Sequence, residues 1–429
     1  MIGHSPNNTM TGQIRNLALG LGFAVHLLRQ RLATGAWRTD ARTRAGRIGD
    51  MPRRVPGPRI LVHGVSVGET NALEPLVDAL AVSRLEPDVV VSASTETGFE
   101  RARRIHAGRR EVVRFPLDFT WMVDRFLDSL RPDLVVLAEL ELWPTFLAAC
   151  ARRGVPVCVV NARMSARSFR GYRMWRPLVS RMFSRLALVT AQTEAYRERF
   201  EALGVPAGRT RVTGSLKWDA ALREPDAAAA RRLAAEMGID RSRPLIVAGS
   251  TGPGEEAALL RDLPANCQLL LAPRRPDRWD EIARLRPGMP RRSLGAGPDR
   301  DASSRITPAD KRADVFLLDT IGELATAYLL ADFVFVGRSL APMGGSNPLE
   351  SVALGKPTVI GPHHEHFAGV VADLVDAGGL VVSAQPMKVI CRWLNDSAAA
   401  EAVAAAGLRA VVSNRGTAVC TGAWVLEYL

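Results

Sequence analysis

The 429-residue sequence is poor in cysteine, in aromatic residues and in long apolar runs. Its five cysteines are scattered and odd in number, and no two form a CxxC pair, so the pattern favours a reducing compartment over a disulfide framework or a zinc site. Aromatic residues make up 6% of the chain and do not alternate with basic ones as in nucleic-acid-binding segments, so no nucleic-acid partner is expected. No run of about 18 or more apolar residues occurs, which argues against a full transmembrane helix.

What the chain does have is an ordinary globular composition and a large excess of positive charge. Hydrophobic residues make up 47% of the sequence and charged residues 23%, and the length is typical of two domains. With nucleic acid set aside, the net charge of +12 favours an acidic membrane surface or a phosphorylated substrate as partner. Most of the excess is arginine, and codon bias alone would produce the same composition.

Residues 1–50 form a separate N-terminal segment. Residues 1–12 have the composition of a disordered start, and a helical pattern with an apolar stretch from Leu17 to Leu28 follows. This stretch is too short to span a bilayer, and six arginines come after it by position 47. The arrangement predicts an interfacial anchor on the cytoplasmic side of a membrane, either monotopic or attached through the N-terminus. The alternative is a helix packed on the domain with a solvated basic tail.

Short apolar runs alternate with helical patterns from residue 59 onward, which predicts an α/β fold of parallel sheets. The predicted strands of the two series begin near Ile60, Asp88, Val112, Leu134, Val155, Ala187 and Arg211, and then near Leu245, Gln268, Val315, Phe333, Thr358 and Leu380. We expect an N-terminal domain over residues 51–220 and a C-terminal domain over residues 221–429. A polar loop over 286–313 and a last helix that packs back across the halves complete this organisation.

The stretch HGVSVGE (63–69) follows the first predicted strand and opens a helix. Ser66 and Glu69 have the spacing of a capping box, in which Glu69 returns to the amide of the capping residue. The same stretch matches the GxSxG nucleophile elbow, for which Asp319 and His363 would be the later acid and histidine. A carboxylate at the carboxyl end of a buried strand is also a candidate general base. Local sequence leaves these three interpretations open.

More charged residues follow neighbouring predicted strands. Glu139 and Glu141 alternate with leucine, so they would point the same way in an extended segment, and with Glu69 they would raise one another's pKa values. Arg163 and Ser165 lie in a loop with the chemistry for an anionic group, although a capped, solvated loop has the same composition.

In the second half, two helix starts offer backbone amides at strand ends. Gly and hydroxyl residues from Gly249 to Glu256 are typical of a phosphate site, but the stretch is neither a Walker A motif nor a GxGxxG. In the stretch 347–350, Asn347 would cap a helix with Pro348 at its first position. The histidines near His363 and the Asp299-Arg300-Asp301 triplet match no metal-site spacing well enough to predict one.

Twelve stretches occur in the order typical of one family: HGVSVGE (63–69), STETG (94–98), FPLDF (115–119), ELELWP (139–144), NARMSARS (161–168), AQTE (191–194), TGSLKWD (213–219), AGSTGPGEE (248–256), LLLAPRRPDR (269–278), LLDTIGEL (317–324), VGRSLAPMGGSNPLE (336–350) and GKPTVIGPHHEHF (355–367). Together they resemble the 3-deoxy-D-manno-octulosonic acid (Kdo) transferases of lipopolysaccharide synthesis. The resemblance implies a GT-B glycosyltransferase fold, with two Rossmann-like domains facing an interdomain cleft. It also implies transfer of Kdo from CMP-Kdo to a lipid A precursor (lipid IVA) at the cytoplasmic face of the inner membrane.

By resemblance, Glu69 is the general base of an inverting reaction, and no metal or other cofactor is expected. The residues on the acceptor or donor-sugar side would be Ser66, Gly68, Glu139, Glu141, Arg163 and Ser165. The residues that bind CMP would be Lys217, Ser250, Thr251, Arg274, Gly322, Gly345, Asn347 and Glu350. The chain departs from the family pattern at Ser346 and Arg275, where the family usually has histidine. The alternatives are another GT-B enzyme with a UDP-sugar donor and, more remotely, a serine hydrolase that uses Ser66.

Overall fold

The structure is a computed structural model of the chain and describes residues 48–49, 51–221, 226–294 and 313–429. The predicted N-terminal anchor, the Asp299-Arg300-Asp301 triplet and most of the predicted polar loop lie outside the described residues. The chain divides into two units. Unit 1 contains the residues up to Ala220 together with Gly416–Leu429, and unit 2 is Ala221–Arg415.

Unit 1 is built on a seven-stranded parallel sheet. Its strands are β1 (Arg59–Gly64), β2 (Asp88–Ala93), β3 (Val112–Arg114), β4 (Leu134–Ala138), β5 (Val157–Ala162), β6 (Leu188–Ala191) and β7 (Thr210–Val212). They pair in the order β3-β2-β1-β4-β5-β6-β7. The helices of this half of the chain are α1 (Val67–Ala81), α2 (Glu96–His106), α3 (Thr120–Leu130), α4 (Pro144–Arg152), α5 (Ala166–Met174), α6 (Arg176–Phe183), α7 (Glu194–Leu203) and α8 (Lys217–Ala221).

Unit 2 contains a six-stranded parallel sheet. Its strands are β8 (Leu245–Thr251), β9 (Gln268–Pro273), β10 (Val315–Leu317), β11 (Phe333–Val336), β12 (Thr358–Ile360) and β13 (Val381–Val382). They pair in the order β10-β9-β8-β11-β12-β13. The remaining helices are α9 (Ala227–Met237), α10 (Glu255–Arg261), α11 (Trp279–Leu285), α12 (Leu324–Leu330), α13 (Leu349–Val352), α14 (Ala368–Asp376), α15 (Pro386–Asn395), α16 (Ser397–Ser413) and, in unit 1, α17 (Thr417–Leu426).

The strands are buried on both faces, which explains their continuous apolar runs. All six residues of β1 are buried, and their side chains alternate between two cores. Leu61 packs in the cluster on one face, whereas Ile60 and Val62 pack in the cluster on the other. Helices cover both faces of such a sheet, because the crossovers between parallel strands must lie there.

The last helix of the chain belongs to unit 1. Ala418 and Val425 of α17 are buried in the same cluster as Leu76 of α1. Asp219 fixes the start of α17 by accepting from the Gly416 and Ala418 N–H groups (2.8 and 2.7 Å). The final segment is therefore part of the unit 1 core, although it is separated from the rest of unit 1 by the whole of unit 2.

The predicted α/β class with two Rossmann-like units is confirmed. Each predicted strand begins within about two residues of its observed start, because burial on both faces produces a strong local signal. In the described parts of the chain, no helix is long and apolar enough to cross a membrane.

The strand order reverses between β1 and β4 in unit 1 and between β8 and β11 in unit 2. At such a switch point the loops leave neighbouring strands in opposite directions and open a crevice at their carboxyl ends. Each unit thus has one place at its sheet edge where a ligand site is expected.

Candidate active site

Glu69 is held by its carboxylate at the turn between the first strand and the first helix. Ser66 Oγ caps α1 by accepting from the Glu69 N–H (3.4 Å), and its hydroxyl donates to Glu69 Oε1 (3.0 Å). The Val65 N–H donates to Glu69 Oε2 (2.8 Å). The predicted capping box is therefore present with one change, since Glu69 returns to the amide of Val65 instead of that of Ser66. The carboxylate stays at the end of β1, where its remaining lone pairs are not used by these bonds.

The loop after β2 supports this turn. The Thr95 N–H and hydroxyl both donate to the Val65 carbonyl (3.0 and 2.8 Å). A Cβ on Gly98 would lie 2.8 Å from that carbonyl oxygen, and a Cβ on Gly64 would lie 3.2 Å from the Glu69 Cβ. A side chain at Gly98 would therefore force the Val65 backbone to shift, and one at Gly64 would make a contact tighter than usual with Glu69. The STETG and HGVSVGE motifs therefore pack together and fix the backbone beneath Glu69.

The histidine that opens the HGVSVGE motif is a packing residue. His63 is fully buried in β1, its ring stacks on Phe115 at 3.8 Å, and its Nδ1 lies 3.0 Å from Ser92 Oγ. Burial lowers the pKa of His63 to about 3, so the ring is neutral near pH 7. It therefore supplies neither an acid nor a charge to the carboxylate above it.

Glu139 and Glu141 lie in a turn after β4, not in the extended segment that was predicted. Glu139 has a φ of +54°, and the Glu141 N–H donates to the Ala138 carbonyl (3.2 Å). The expectation was wrong because the chain must leave the sheet within a few residues to start α4 at Pro144. The two carboxylates nevertheless lie close enough to Glu69 for their charges to act on one another.

Glu69, Glu139 and Glu141 form an acidic cluster, in which the pKa values of Glu69 and Glu141 are raised. Burial raises the pKa of Glu69, and the charge of Glu139 raises it further, while the Val65 N–H, the Ser66 hydroxyl and Lys217 act in the opposite direction. Burial, followed by the charges of Glu69 and Glu139, raises the pKa of Glu141 to about 7. A carboxylate with a raised pKa is a stronger base than an ordinary glutamate.

Two cations balance the cluster through Glu139. Arg163 Nε lies 3.3 Å from Glu139 Oε2, and Lys217 Nζ lies 4.0 Å from Glu139 Oε1. The Lys217 side chain is 19% exposed, and its burial lowers its pKa while the charge of Glu139 raises it. Lys217 was predicted on the CMP side, but the structure groups it with the acidic cluster of unit 1. Arg163 was predicted to face a substrate anion, and here it is paired with Glu139.

The FPLDF motif has a positioning role that sequence reasoning did not assign. The Asp118 carboxylate is buried and accepts from the Thr145 and Phe146 N–H groups (2.9 and 2.8 Å) in the first turn of α4. It thereby caps from a distance the helix that directly follows Glu139 and Glu141. The only signal in the sequence is an aspartate in an otherwise apolar motif.

Asn161 was also quoted within a motif without a role. It is buried at the end of β5 with a φ of +52°, and its Oδ1 accepts from the Leu216 N–H (3.1 Å). Its carbonyl accepts from Gln192 Nε2 (3.0 Å). Because Leu216 directly precedes Lys217, Asn161 sets the position of that lysine beside Glu139.

The two remaining unit 1 predictions lie on the surface near these turns. Ser165 is exposed and caps α5 by accepting from the Ser168 N–H (3.1 Å), as the alternative of a capped loop predicted. Gly68 is exposed in the first turn of α1, where an added Cβ would meet only Ser66 Oγ, at 3.8 Å.

In unit 2, Ser250 and Thr251 end β8 at the switch point. Thr251 is fully buried, and its hydroxyl donates to Glu256 Oε1 (2.7 Å), which is itself paired with Arg278 (2.9 Å). Ser250 has a φ of +55°, and its carbonyl accepts from Ser346 Oγ (3.5 Å). The Thr251 hydroxyl is thus engaged inside unit 2, so its predicted phosphate contact would need this bond to break.

Glu255 connects the two loops of the unit 2 switch point. Its buried carboxylate accepts from four backbone N–H groups, those of Gly252 (2.8 Å), Arg338 (2.6 Å), Ser339 (2.7 Å) and Leu340 (2.8 Å). The Gly252 amide, suggested from the sequence for a phosphate, is therefore occupied by this side chain. Sequence reasoning missed the role, because the loop after β11 is more than 80 residues away along the chain.

Arg274 and Glu350 lie near the same buried tyrosine. Burial raises the pKa of Tyr328, and the charge of Glu350 raises it further, while that of Arg274 lowers it. The Arg274 side chain is exposed at the end of β9, and its N–H donates to the Thr251 carbonyl (3.1 Å). A Cβ on Gly249 would lie 1.9 Å from the Tyr328 hydroxyl oxygen, so the glycine of the motif makes room for this ring.

The other predicted CMP residues are turn residues. Gly322 is exposed with a φ of +98°. Gly345 is buried with a φ of +74°, and a Cβ added there would lie only 2.9 Å from the His364 Cα. Asn347 Oδ1 accepts from the Leu349 N–H (3.2 Å), and α13 begins at Leu349, one residue later than predicted. The structure therefore places Ser250 at the carboxyl end of β8, and Gly345 and Asn347 on the loop that follows β11.

Known proteins match most of the chain. The family described as 3-deoxy-D-manno-octulosonic-acid transferase (Kdo transferase) matches residues 39–220. The 3-deoxy-D-manno-octulosonic acid transferase of Bordetella pertussis is 35% identical over 371 residues, 82% of this chain and 82% of the relative. That of Haemophilus influenzae is 30% identical over 375 residues, 84% of this chain and 85% of the relative. The chain belongs to the Kdo transferase family. It is accordingly a glycosyltransferase.

Solved structures agree with the fold of this Kdo transferase family member. The UDP-GlcNAc 2-epimerase of Neisseria meningitidis aligns with 86% of the chain and 100% of its own length, at a TM-score of 0.57 and 14% identity. HepE of Anabaena, in complex with UDP and glucose, aligns with 87% of the chain and 100% of its own length, at 0.57 and 15%. At such low identity these likenesses show the Rossmann-like α/β fold alone.

The histidine-rich stretch of this Kdo transferase family member is engaged locally. His364 Nδ1 lies 3.0 Å from the Gly361 carbonyl, and His363 Nδ1 lies 3.6 Å from Glu365 Oε1. Within the described ranges, no group of three or more His, Cys, Asp or Glu side chains is arranged to hold a metal ion.

The two departures from the family pattern differ in their surroundings. Arg275 is exposed and pairs with its neighbour Asp277 (2.8 Å). Ser346 is buried next to Ser250 at the switch point of unit 2. Of the two, Ser346 is therefore the one that lies among the predicted CMP residues.

Proposed function

We propose that this chain transfers Kdo from CMP-Kdo to a lipid A precursor, lipid IVA, with inversion at the anomeric carbon and with Glu69 as the general base. The observation that carries the proposal is the position of Glu69 at the switch point of unit 1, where burial and then the charge of Glu139 raise its pKa. Family membership supports the sugar, and the twelve motifs support the donor and the acceptor.

In the proposed reaction, one free lone pair of the Glu69 carboxylate takes the proton of the acceptor hydroxyl. The acceptor oxygen then bonds to the anomeric carbon of Kdo, while the bond from that carbon to the CMP phosphate oxygen breaks and CMP leaves with the electron pair. The Val65 N–H and the Ser66 hydroxyl keep the carboxylate in place during this step. Arg163 and Lys217 limit the negative charge that accumulates around Glu139.

For the donor, the proposal places CMP against unit 2, at the carboxyl ends of β8, β9 and β11. Ser250 lies at the end of β8 at this edge, Gly345 and Asn347 lie on the loop after β11, and Arg274 adds a positive charge for the phosphate. No bound metal or other cofactor is proposed, so an excess of EDTA is expected to leave the rate of transfer unchanged.

For the acceptor, the proposal places the protein at the cytoplasmic face of the inner membrane. A phosphorylated glycolipid is anionic and is embedded in a bilayer, which suits a chain with a net charge of +12.

The first prediction concerns the base. Glu69→Gln is expected to lower transfer of Kdo to the lipid A precursor by a factor of about 10² to 10⁴, because the amide does not accept the proton. The assay follows product mass with CMP-Kdo as donor, which also distinguishes the addition of one, two or three units. CMP binding, measured by thermal shift, is expected to survive the change. Turnover close to that of the unaltered protein would show that another group is the base.

The serine hydrolase alternative has no support in the geometry. Ser66 Oγ donates to Glu69, and the Asp319 carboxylate accepts from Arg291 Nε (2.7 Å) and the Ser293 N–H (2.7 Å). Neither side chain is hydrogen-bonded to a histidine in the part of the chain that the structure describes. The UDP-sugar alternative differs from the proposal in the nucleotide that binds, since it predicts a preference for UDP over CMP.

A further inference from the structure

One part of unit 1 is strongly basic and has no acidic residue of its own. From Leu142 to Thr193 the sequence contains nine arginines and neither aspartate nor glutamate. The structure places six of these arginines on α5, on α6 and just after α6, and all six side chains are exposed. We call them the arginine surface: Arg167, Arg170, Arg173, Arg176, Arg181 and Arg185. A cluster of positive charges on two adjacent helices attracts an anionic partner.

The arginine surface is not neutralised by the residues that the structure describes. None of its six side chains forms an ion pair with any described residue, although Arg152 and Arg153, earlier in the same run, pair with Asp124 (2.9 and 2.8 Å). Arg173 lies over the ring of Phe169 at 5.8 Å, which holds its stem against α5 but leaves the charge exposed. The positive charge of this surface is thus available to a partner.

Two large apolar side chains project at the corner between the helices. Trp175 lies between α5 and α6 and is 57% exposed, while its neighbour Met174, the last residue of α5, is 74% exposed. α5 contains no buried residue, and Phe169 and Tyr172 pack only partly against the core. A tryptophan and a methionine that point outward from a basic helix pair are typical of a segment that enters a membrane interface.

The charge pattern selects among possible occupants. In a symmetric contact with a second copy of this chain, the arginine surface would meet itself, and like charges would repel. A folded acidic protein would match the charge but would not require the exposed apolar corner. An anionic bilayer satisfies both features, because its headgroups attract the arginines and its interface accepts the tryptophan ring.

We propose that α5 and α6 form a second membrane-binding surface, in which Met174 and Trp175 enter the interface of an anionic bilayer and the arginine surface binds its headgroups. α5 begins directly after Ser165, two residues beyond the arginine that pairs with Glu139. A bilayer bound there would lie beside the acidic cluster, where a lipid acceptor is needed. The proposal deepens the proposed function, and to that extent it rests on it, since a membrane-embedded acceptor gives the surface its purpose.

The test compares two charge-matched double variants of the full chain in co-sedimentation with vesicles. The vesicles contain phosphatidylglycerol and phosphatidylcholine, with no acceptor and no donor. Arg173→Glu with Arg176→Glu is expected to weaken vesicle binding by at least about thirtyfold, since each arginine near an anionic surface contributes roughly fivefold. The control is Arg103→Glu with Arg104→Glu, two exposed arginines in the last turn of α2 that form no ion pair with a described residue. It carries the same change in charge and is expected to bind nearly as well as the unaltered protein.

A third variant tests the apolar corner. Trp175→Ser is expected to weaken binding to the same vesicles, whereas Trp121→Ser, at a tryptophan that is 50% exposed on α3, is expected to leave it unchanged. Equal binding by both double variants would overturn the proposal, as would equally tight binding to vesicles of pure phosphatidylcholine. A surface that bound an oligonucleotide through Arg173 and Arg176 and ignored the vesicles would also overturn it. Because no sugar is transferred in this assay, failure of Kdo transfer leaves its result unaffected, and the reverse holds as well.

Discussion

At the scale of single residues, the chemistry of the site depends on how Glu69 is surrounded. Its carboxylate is stabilised by one amide and one hydroxyl, and its proton affinity is raised by burial and by Glu139. Lys217 acts in the opposite direction. The proposed base therefore lies between a neighbouring anion and a neighbouring cation, and removing either one shifts the pKa of Glu69 in a known direction.

The pH dependence of transfer is expected to follow these two neighbours. A general base must be unprotonated, so kcat/KM rises as the pH rises through the pKa of Glu69. Glu139→Gln removes a charge that raises this pKa, so the rise of kcat/KM with pH, the acid limb of the profile, is expected to move to lower pH. Lys217→Met removes a charge that lowers it, so the limb is expected to move to higher pH. The exposed Glu198 supplies the control, and Glu198→Gln should leave the limb in place. Shifts of both variants in one direction would contradict the assignment.

Glu141 is expected to affect stability in a pH-dependent way. Its pKa is raised from 4.5 to about 7 in the folded protein, so the folded state binds the extra proton between these values. The destabilisation caused by its charge is absent well below pH 4.5, grows through this window and is fully present above about pH 7. Glu141→Gln is therefore expected to raise the melting temperature at pH 8 and to change it little at pH 5, as measured by calorimetry. The same increase at both values would show that the charge of Glu141 is not the cause.

At the scale of elements, both units are organised by the loops that follow neighbouring strands at the switch point. In unit 1, Asp118 caps α4 and Asn161 fixes the loop before α8, so the strand-end turns hold one another in place. In unit 2, Glu255 has the corresponding task between the loops after β8 and β11. Buried carboxylates that accept from backbone amides are strongly stabilised, provided that every donor is satisfied.

Glu255→Gln is expected to destabilise the protein by about 2–4 kcal/mol in urea unfolding, because an amide turns two acceptor positions into donors that face backbone N–H groups. It is also expected to weaken CMP binding more than its effect on stability requires, since both loops of the proposed CMP site lose their common acceptor. The comparison is Glu281→Gln, a 59% exposed carboxylate 3.3 Å from Arg278, which is expected to change stability by less than about 1 kcal/mol. Unchanged CMP binding, at a temperature where the variant is folded, would show that Glu255 does not support the proposed CMP site.

At the scale of the whole molecule, the chain combines two Rossmann-like units with a strongly basic surface. Its likeness to Kdo transferases extends over more than four-fifths of its length, so both units belong to the family pattern. The last helix lies in unit 1, so the chain enters unit 2 after Ala220 and leaves it after Arg415. Two segments of the chain therefore connect the units.

Nucleotide choice is expected to be visible in the intact protein. CMP at about 100 times its Kd is expected to stabilise the folded protein by about 2.7 kcal/mol and to raise its melting temperature, whereas UDP at the same concentration should not. A larger shift with UDP would favour the UDP-sugar alternative. CMP is used instead of CMP-Kdo so that the result reports on the nucleotide site alone.

The sequence by itself determined the strands, their parallel class and the motif-bearing turns. Continuous apolar runs such as Ile60–Val62, together with glycines such as Gly64 and Gly98, are local signals, because burial on both faces and close backbone approach each restrict the residue type. Tertiary structure alone decided which turns meet. The left-handed backbone of Glu139, the pairing of Lys217 with the acidic cluster and the four amides around Glu255 depend on strand order, which joins residues far apart in the chain. Pairing across such distances leaves no periodic pattern in the sequence, and it was there that the predicted extended segment at Glu139 was wrong.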